Sequence, residues 1–356
     1  MERFHISSDV IDEQKVVKGK DYRISVITDR LFRIELKAFT DSATQTVLRR
    51  NFGAPSFEVL KQGKGGVSIK TKDVLFNFDS VLAAVTATDL KTGKKLSDGH
   101  NLKGTVRTLD FRLGKVKLEG GIMAKGGVSV VDDTKSFLLN EDGTLSHREK
   151  GSGDFYVFCY GNDYESCLKD FFSLTGYPPL LPKYALTNWW SRYYPYSEKT
   201  YLALMDKFKE RKIPIGVATV DMDWHIVKDV PKEYKASNPL QGAGWTGYTW
   251  NEKLFPDYKR FLKELHSRGM AVTLNIHPRD GVRAFEKMYP EMAKANGINP
   301  DTKQTVEFNM SDPKFITSYF DILHHPYEKD GVNFWWIDWQ QGKKSSVKGL
   351  DPLWLL

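Results

Sequence analysis

Residues 331–342 have the sequence Gly331-Val332-Asn333-Phe334-Trp335-Trp336-Ile337-Asp338-Trp339-Gln340-Gln341-Gly342. A short apolar run that starts after a glycine and ends at a single carboxylate predicts a buried β-strand with Asp338 at its carboxyl end. Enzymes built on β/α barrels carry their functional groups at the carboxyl ends of such strands. Asp338 is therefore our first candidate for a functional residue, although an aspartate at this position could also only cap a loop.

Three similar apolar runs precede this one, at residues 185–190, 215–220 and 271–276. They do not alternate between apolar and polar residues, which favours parallel strands that are buried on both faces. The segments between them have the apolar spacing of helices, with Ser197 and Gly269 as capping residues, and a third helix is predicted from 311–313 to Gly331. Four strand-and-helix pairs predict the first half of a (β/α)8 barrel or a doubly wound sheet. No glycine-rich phosphate turn follows the first strand, which argues against dinucleotide binding.

The first 160 residues have a different pattern. Phe32, Ile34 and Leu36 alternate with charged residues, which predicts a strand with one buried and one exposed face. Similar short segments follow, separated by glycine turns, and together they predict a β-sandwich. We therefore expect two domains, a β-sandwich over residues 1–175 and a partial barrel over residues 176–356, joined by the proline-rich segment 177–182.

Polar and aromatic residues gather just after the predicted strands. The four groups are Arg192-Tyr193, Asp221-Met222-Asp223-Trp224, His277-Pro278-Arg279-Asp280 and Asp338. In a parallel sheet the carboxyl ends of the strands lie at one edge, so this pattern predicts a site on that edge. Arg192 and Arg279 either pair with carboxylates of this site or form salt bridges at its rim.

Composition excludes several classes of function. The 356 residues carry a net charge of +7, and the lysines are scattered and form no basic stripe of the kind that nucleic-acid binding requires. No apolar run reaches the length of a membrane span and the amino terminus lacks a signal-peptide pattern, so we expect no membrane association and a cytoplasmic location. Cys159 and Cys167 are expected to be buried thiols that form no disulfide or metal site. The adjacent His324-His325 pair lacks the spacing of metal ligands.

Several motifs in the second half occur together and in a fixed order. They are the connector 177–185, Asn188-Trp189-Trp190-Ser191-Arg192-Tyr193, Asp221-Met222-Asp223-Trp224, Trp250 with Leu254-Phe255-Pro256-Asp257, and Trp336-Ile337-Asp338. With these motifs, residues 176–356 resemble glycoside hydrolase family 31, whose members cleave α-linked glycosides. The preceding β region resembles the galactose-mutarotase-like sandwich of that family in position and pattern.

This resemblance implies an O-glycosyl hydrolase that acts on an oligosaccharide or α-glycoside with retention, through two carboxyl groups and without a metal or cofactor. It implies that Asp338 is the nucleophile, that Asp221 binds sugar hydroxyls, and that Tyr193 and Trp336 line the sugar pocket. Met222 belongs to the motif of Asp221 and is counted in the binding set. His277 either hydrogen-bonds to the substrate or caps the third strand, and Asp221 could likewise be a cap or a rim ion pair.

Some features depart from the family pattern. Trp339-Gln340-Gln341 stands where Met-Asn-Glu is usual, His277-Pro278 stands where Asp-Pro is usual, and the Trp-Pro-Gly segment is missing. The sugar, the linkage, the choice between hydrolysis and transglycosylation, and the oligomeric state therefore stay open.

The family's acid/base carboxylate follows a sixth strand. We therefore expect it beyond residue 356, so that the chain is a fragment that is inactive by itself. Asp351 is expected to cap a helix and not to be the acid/base. The alternatives are a non-catalytic carbohydrate-binding or remnant protein that ends at Leu356, and a different barrel enzyme, such as a lyase or aldolase. The last is disfavoured because no lysine stands at a strand end.

Overall fold

The chain divides into two compact units, Met1–Pro179 and Leu180–Leu356. The boundary lies inside the proline-rich segment 177–182, a few residues after the position that the sequence analysis proposed. The computed structural model describes residues 6–7, 9–63, 65–104, 106, 109, 112–232, 244–338 and 345–355. The segment 339–344, which contains Trp339-Gln340-Gln341, and Leu356 lie outside the described residues.

The first unit is built from antiparallel strands. Its elements are β1 (Val16–Lys18), β2 (Tyr22–Val26), β3 (Leu31–Leu36), β4 (Phe57–Gly63), β5 (Gly66–Thr71), β6 (Val74–Asp79), β7 (Ala84–Asp89), β8 (Lys95–Leu96), β9 (Ser129–Asp132), β10 (Leu138–Leu139), β11 (Leu145–Ser146), β12 (Gly153–Phe158) and helix α1 (Tyr164–Thr175). One five-stranded sheet has the order β1-β2-β3-β12-β9 and another has the order β4-β5-β6-β7-β8, while β10 and β11 form a separate pair.

The two five-stranded sheets pack face to face. Phe32 on β3 stacks on Phe76 on β6 with ring centroids 4.1 Å apart, and the apolar side chains of both sheets form one core. Behind the first sheet, α1 packs Leu174 and Cys167 against Tyr156 and its neighbours. This arrangement confirms the predicted strand-rich amino-terminal domain, with a sandwich core between two antiparallel sheets.

The prediction that β3 has an exposed polar face is wrong. Arg33 and Glu35, which alternate with the apolar residues, are 0% and 1% exposed. The Arg33 guanidinium donates to both oxygens of Asp154 on β12, at 2.8 and 2.7 Å, and lies 3.1 Å from a Glu35 oxygen. Charged side chains can be buried in this way because each of them finds an oppositely charged partner.

Both cysteines of the first unit are free and buried, as predicted. Burial raises the pKa of each thiol, that of Cys159 to about 12 and that of Cys167 to about 12. The thiols are therefore protonated at neutral pH and are poor nucleophiles.

The second unit contains one parallel sheet and its helices. Its strands are β13 (Trp189–Trp190), β14 (Val217–Val220), β15 (Ala271–Ile276) and β16 (Phe334–Ile337), in the order β13-β14-β15-β16. Its helices are α2 (Glu198–Glu210), α3 (Tyr258–Ser267), α4 (Tyr289–Ala295), α5 (Pro313–Ser318), α6 (His325–Asp330) and α7 (Pro352–Leu355). The first strand is shorter than predicted, because Lys183–Leu186 forms a 3-10 helix. The predicted caps are confirmed for Ser197, whose side chain accepts from the amide of Thr200, and for Gly269, which follows α3 with φ 76°.

The predicted third helix is interrupted in the middle. Asp312 caps α5 and Gly331 follows α6, as expected, but residues Tyr319–His324 between them form a π-helix. The wider turn brings His324 into the core, where its ring lies 4.4 Å from that of Trp335, while His325 stays on the surface side. Among the described residues, none of the helices has both the length and the apolar character needed to cross a membrane.

The two faces of the parallel sheet have different neighbours. Ala218, Val220, Val272 and Leu274 pack against apolar side chains of α2 and α3. The alternate residues lie on the inner face. There the two outermost strands meet through Trp189 and Phe334, whose ring centroids are 5.2 Å apart. Contact between the outer strands of a four-stranded sheet requires strong curvature, which is the curvature of a barrel wall.

Candidate active site

Three of the predicted functional residues lie side by side at the carboxyl edge of the sheet. Val220 pairs with Leu274, and Ile276 pairs with Ile337, so that β14, β15 and β16 end at nearly the same level. The next residues are Asp221, His277 and Asp338, and the Asp338 amide continues the ladder by donating to the Ile276 carbonyl at 3.1 Å. Parallel strands therefore place these side chains next to each other, as the sequence pattern predicted.

Asp338 is in contact with two side chains of β15 and the turn after it. Its Oδ2 atom accepts a hydrogen bond from Asn275 Nδ2 at 3.4 Å and lies 3.5 Å from His277 Nε2. The Asp338 side chain is 29% exposed, whereas His277 is only 4% exposed. One oxygen of this carboxylate is thus held by an amide and an imidazole, while part of the group stays accessible.

His277 is surrounded on several sides. Its ring lies 5.3 Å from the ring of Trp245, and its carbonyl accepts a hydrogen bond from the Thr246 hydroxyl. Burial lowers the pKa of His277, and the positive charge of Arg279 acts in the same direction, while the Asp338 carboxylate opposes both. The imidazole is therefore neutral at neutral pH, so it donates to Asp338 without neutralising the charge of the carboxylate.

Asp221 caps the 3-10 helix Met222–Trp224 and also faces the site. Its side chain accepts from the Met222 amide at 2.7 Å. Burial raises the pKa of Asp221, and the negative charges of Asp338 and Asp223 raise it further. Because the charge of Asp338 affects the protonation of Asp221, the two carboxylates lie close together. Asp221 can therefore both cap the 3-10 helix and belong to the site.

The 3-10 helix after β14 is anchored in the core. Met222 and Trp224 are 3% and 0% exposed, and the Trp224 indole donates to the Asn275 carbonyl at 2.7 Å. Asp223 is also buried; burial raises its pKa, and the charge of Lys228 opposes the rise. Met222 therefore has little surface for contact with a ligand.

The two aromatic candidates differ in exposure. The Tyr193 ring is 64% exposed, and its pKa is raised by partial burial and by the charges of Asp223 and Asp221, so its hydroxyl lies near the acidic end of β14. Trp336 is half-buried on β16 and precedes Asp338 by two residues, which puts both side chains on the same face of the sheet.

The remaining charged candidates have partners of their own. Arg192 stacks on Tyr194, with its guanidinium carbon 4.7 Å from the ring centre, and Arg279 pairs with Asp280 at 2.9 Å. Asp351 accepts from the Leu353 amide at 3.0 Å and thereby caps α7, as predicted. Within the part of the chain that the structure describes, no group of three potential ligands is arranged to hold a metal ion.

Sequence analysis missed two residues of this site. Asn275 precedes His277 by two positions on a strand and therefore shares its face, so the period of the strand contained a signal for it. Trp245 comes from the segment after β14, and nothing in its local sequence indicates that it would pack on His277.

The comparison with protein families gives an assignment for this fold. The model of the TIM-barrel domain of glycosyl hydrolases family 31 matches residues 178–354. The chain belongs to this family. The predicted combination of a strand-rich domain and a partial TIM barrel is thereby confirmed.

The alignments with curated relatives include only part of this chain and a smaller part of each relative. An α-xylosidase of Saccharolobus solfataricus is 26% identical over 190 residues, which are 52% of this chain and 22% of that protein. An α-glucosidase of Bacillus thermoamyloliquefaciens is 28% identical over 145 residues, which are 41% of this chain and 16% of that protein. The chain thus matches about a fifth of the length of such family 31 relatives.

Solved structures resemble almost the whole chain. A family 31 dextranase of Flavobacterium johnsoniae superposes with a TM-score of 0.61 at 15% identity, covering 94% of this chain and 47% of the dextranase. A family 31 α-xylosidase from a soil metagenome has a TM-score of 0.60 at 13% identity, covering 94% of this chain and 58% of the xylosidase. At these identities the likeness concerns the fold alone.

Proposed function

We propose that the protein hydrolyses α-linked glycosides with retention and that Asp338 is its nucleophile. The observation that carries this proposal is the position of Asp338: it ends the fourth strand of a family 31 barrel, partly exposed, with one oxygen held by Asn275 and His277. Because the chain spans only part of its relatives, the activity concerns the protein in its full natural length.

In the proposed first step, an oxygen of Asp338 forms a bond to the anomeric carbon while the bond from that carbon to the leaving oxygen breaks. The leaving oxygen takes a proton from a carboxylic acid. The resemblance assigns this acid to a segment after a sixth barrel strand, and the described residues contain four strands of the barrel. In the second step, the carboxylate that gave up its proton takes one from a water molecule, the water oxygen forms a bond to the same carbon, and the bond from that carbon to Asp338 breaks, which releases the Asp338 carboxylate.

The residues around Asp338 suit a bound sugar. The Asp221 carboxylate can accept hydrogen bonds from two neighbouring hydroxyls, and the exposed ring of Tyr193 offers a flat apolar surface for the sugar ring. Trp336 adds a second aromatic side chain on the face that carries Asp338. Met222 follows Asp221 directly but is buried, so it offers a sugar little surface.

A trapping experiment tests this proposal. The protein in its full natural length is assayed on p-nitrophenyl α-glycosides, beginning with the xyloside and the glucoside, because its relatives include α-xylosidases and an α-glucosidase. A 5-fluoro glycosyl fluoride of the accepted sugar should then release fluoride and leave the sugar bonded to the peptide that contains Asp338. Mass spectrometry of a digest identifies that peptide.

The variant Asp338→Asn should fold normally, take up no label and lose turnover by several orders of magnitude. The matched control is Asp163→Asn, because Asp163 caps α1 and asparagine is an equally good cap. Label on another carboxylate, or near-normal turnover in Asp338→Asn, would exclude Asp338 as the nucleophile. Glycoside binding without turnover by the wild-type protein would instead support the alternative of a non-catalytic carbohydrate-binding protein.

A further inference from the structure

We propose that Asn275 and His277 are positioning residues that act together on one oxygen of Asp338 and thereby orient its carboxylate. This inference rests on the proposed function and deepens it, because it gives His277 a task that is different from substrate binding. From the sequence, His277 was either a ligand of the substrate or a cap of the third strand, and Asn275 was not a candidate.

The strand register explains why both residues reach the same atom. In the pairing of β15 with β16, Ile276 lies opposite Ile337, and the Asp338 amide donates to the Ile276 carbonyl. Asn275 and His277 flank Ile276, and their side chains point to the opposite face from that of Ile276. The Asp338 side chain extends between them, so that Oδ2 lies 3.4 Å from the amide nitrogen and 3.5 Å from the imidazole nitrogen.

The chemistry of the contact assigns the donors. A carboxylate only accepts hydrogen bonds, so Asn275 must present its amino group and His277 must carry its proton on Nε2. This leaves His277 Nδ1 as an acceptor, and within the described part of the chain that buried atom has no hydrogen-bond partner. Both distances exceed 3.2 Å, and such long contacts are frequent in catalytic sites before the substrate tightens them.

Both donors are held firmly by the core behind them. Asn275 is 0% exposed, and its carbonyl accepts from the Trp224 indole at 2.7 Å. His277 lies against the Trp245 ring, and its carbonyl accepts from the Thr246 hydroxyl. Buried donors on an anchored strand can restrict a carboxylate, whereas donors on a mobile loop would follow it.

The main remaining freedom of an aspartate at the end of a strand is rotation about its Cβ–Cγ bond. Because the carboxylate is planar, two donors on Oδ2 also fix the direction of Oδ1. Both donors are neutral, so they orient the group without themselves adding a positive charge beside it. A nucleophile that is held in one direction avoids the loss of rate, about 10²-fold, that a displacement of 1 Å can cause.

The first test observes the contact and needs no substrate. In protein selectively labelled with 15N-histidine, long-range proton–nitrogen correlations should show His277 as the neutral Nε2–H tautomer, with the signals assigned by their loss in His277→Gln. Among the described residues, the titratable and charged groups around the imidazole are Asp338 directly after β16, Arg279 in the turn after β15, and His225 after β14, which is neutral because burial lowers its pKa. Replacing Asp338 by Asn removes the only negative group of the three, so the pKa of His277 should fall. The Nδ1–H tautomer, or an unchanged pKa, would overturn the proposal.

The second test separates positioning from substrate binding. In the protein of full natural length, His277→Leu and Asn275→Leu should each lower kcat by about 10²-fold with little change in KM. The variant His277→Gln keeps an N–H donor and should recover part of the loss. The matched control is Asn333→Leu at the opposite end of the same strand pair, where the Asn333 side chain accepts from the Val272 amide.

The outcomes distinguish this inference from the proposed function. A rise in KM at constant kcat in His277→Leu would show that His277 binds substrate and does not position Asp338. Activity losses that match those of Asn333→Leu would reduce both residues to a structural role. If Asp338→Asn keeps its activity, the proposed function fails and the catalytic part of the inference fails with it, while the tautomer and the pKa of His277 still decide whether the contact exists.

Discussion

The buried ion network of the first unit leads to a quantitative prediction for Asp154→Asn. Both oxygens of Asp154 accept from the Arg33 guanidinium, and one of them also lies 2.9 Å from Arg148. Asp154 and Arg33 are 1% and 0% exposed. The substitution keeps the shape of the side chain but removes its negative charge. The buried positive charge of Arg33 is then balanced only in part, by Glu35 at 3.1 Å and Asp41 at 3.7 Å.

The expected loss of stability follows from two estimates. Two charges about 4 Å apart attract each other by about 4 kcal/mol at an effective dielectric constant near 20. Breaking a buried ion pair by removing one partner typically costs about 3–5 kcal/mol. Since Arg33 keeps a second partner at 3.1 Å, we expect the free energy of unfolding of the first unit to fall by about 3 kcal/mol.

The assay must report on the first unit by itself. All nine tryptophans lie at position 189 or later, so tryptophan fluorescence follows only the second unit. Hydrogen exchange of β3 and β12 in increasing urea, measured by mass spectrometry, follows the sheet that contains Arg33 and Asp154. The matched control is Asp132→Asn, because Asp132 is exposed and its side chain accepts from the Thr134 amide, which asparagine can also do.

A loss below about 1 kcal/mol in Asp154→Asn would refute this reasoning, because that is the range of solvent-exposed ion pairs. The double variant Arg33→Met/Asp154→Leu provides a second check. It removes both charges at once, so it should lose less stability than Asp154→Asn. A larger loss in the double variant would mean that the attraction between the charges exceeds their cost of burial.

Two further predictions concern pH and packing. Burial lowers the pKa of His225 to about 3 and that of His324 to about 3, so below the ordinary histidine pKa of about 6.5 the unfolded chain binds more protons at these two positions. Between about pH 6.5 and 3 each of these histidines should therefore lower the stability of the second unit by up to about 1.4 kcal/mol per pH unit, and Asp221, Asp223 and Glu286, whose pKa values burial raises, should offset part of this loss. Urea unfolding followed by tryptophan fluorescence measures the net change. In the first unit the arginines hold the pKa of Asp154 below its ordinary value despite burial. The ionised Asp154 therefore stabilises the first unit above about pH 4, and this stabilisation is lost as the pH falls further. If both units lost stability over the same pH range, these assignments would be contradicted. The variant Trp224→Phe leaves the buried Asn275 carbonyl of β15 without its indole donor, so the free energy of unfolding of the second unit should fall by about 1–3 kcal/mol, as measured by circular dichroism in urea. The control Trp354→Phe changes a 43% exposed side chain and should have little effect. Equal losses in the two variants would refute the role of the buried hydrogen bond.

The strand-and-helix order of the second unit was predictable because each element carries a local signal. Apolar runs between turn residues predicted β14, β15 and β16, and Ser197 and Gly269 correctly predicted helix ends. The π-helix Tyr319–His324 was not predictable, because the helical spacing of its apolar residues continues through it. In the folded chain the wider turn ends at His324, whose ring packs against those of Trp335 and Tyr319.

The burial of Arg33 shows the same limit in the first unit. Alternation of apolar and charged residues normally predicts a strand with one buried and one solvent-exposed face. The pattern of β3 contains no information on Asp154, which is 121 residues away and supplies the charge that makes burial of Arg33 possible. A long-range ion pair of this kind is visible only in the folded chain.

At the candidate active site, the local sequence was sufficient to predict which residues lie together, but not which contacts their side chains make. Parallel strands end at one edge of a sheet, so the pattern of strand ends alone put Asp221, His277 and Asp338 together. The register of β15 against β16 then decided that His277 and Asn275 share one oxygen of Asp338, and the packing of Trp245 and Trp224 decided how firmly they are held. Strand ends follow from local periodicity, whereas register and packing depend on side chains from distant segments that meet only when the sheet and its helices have formed.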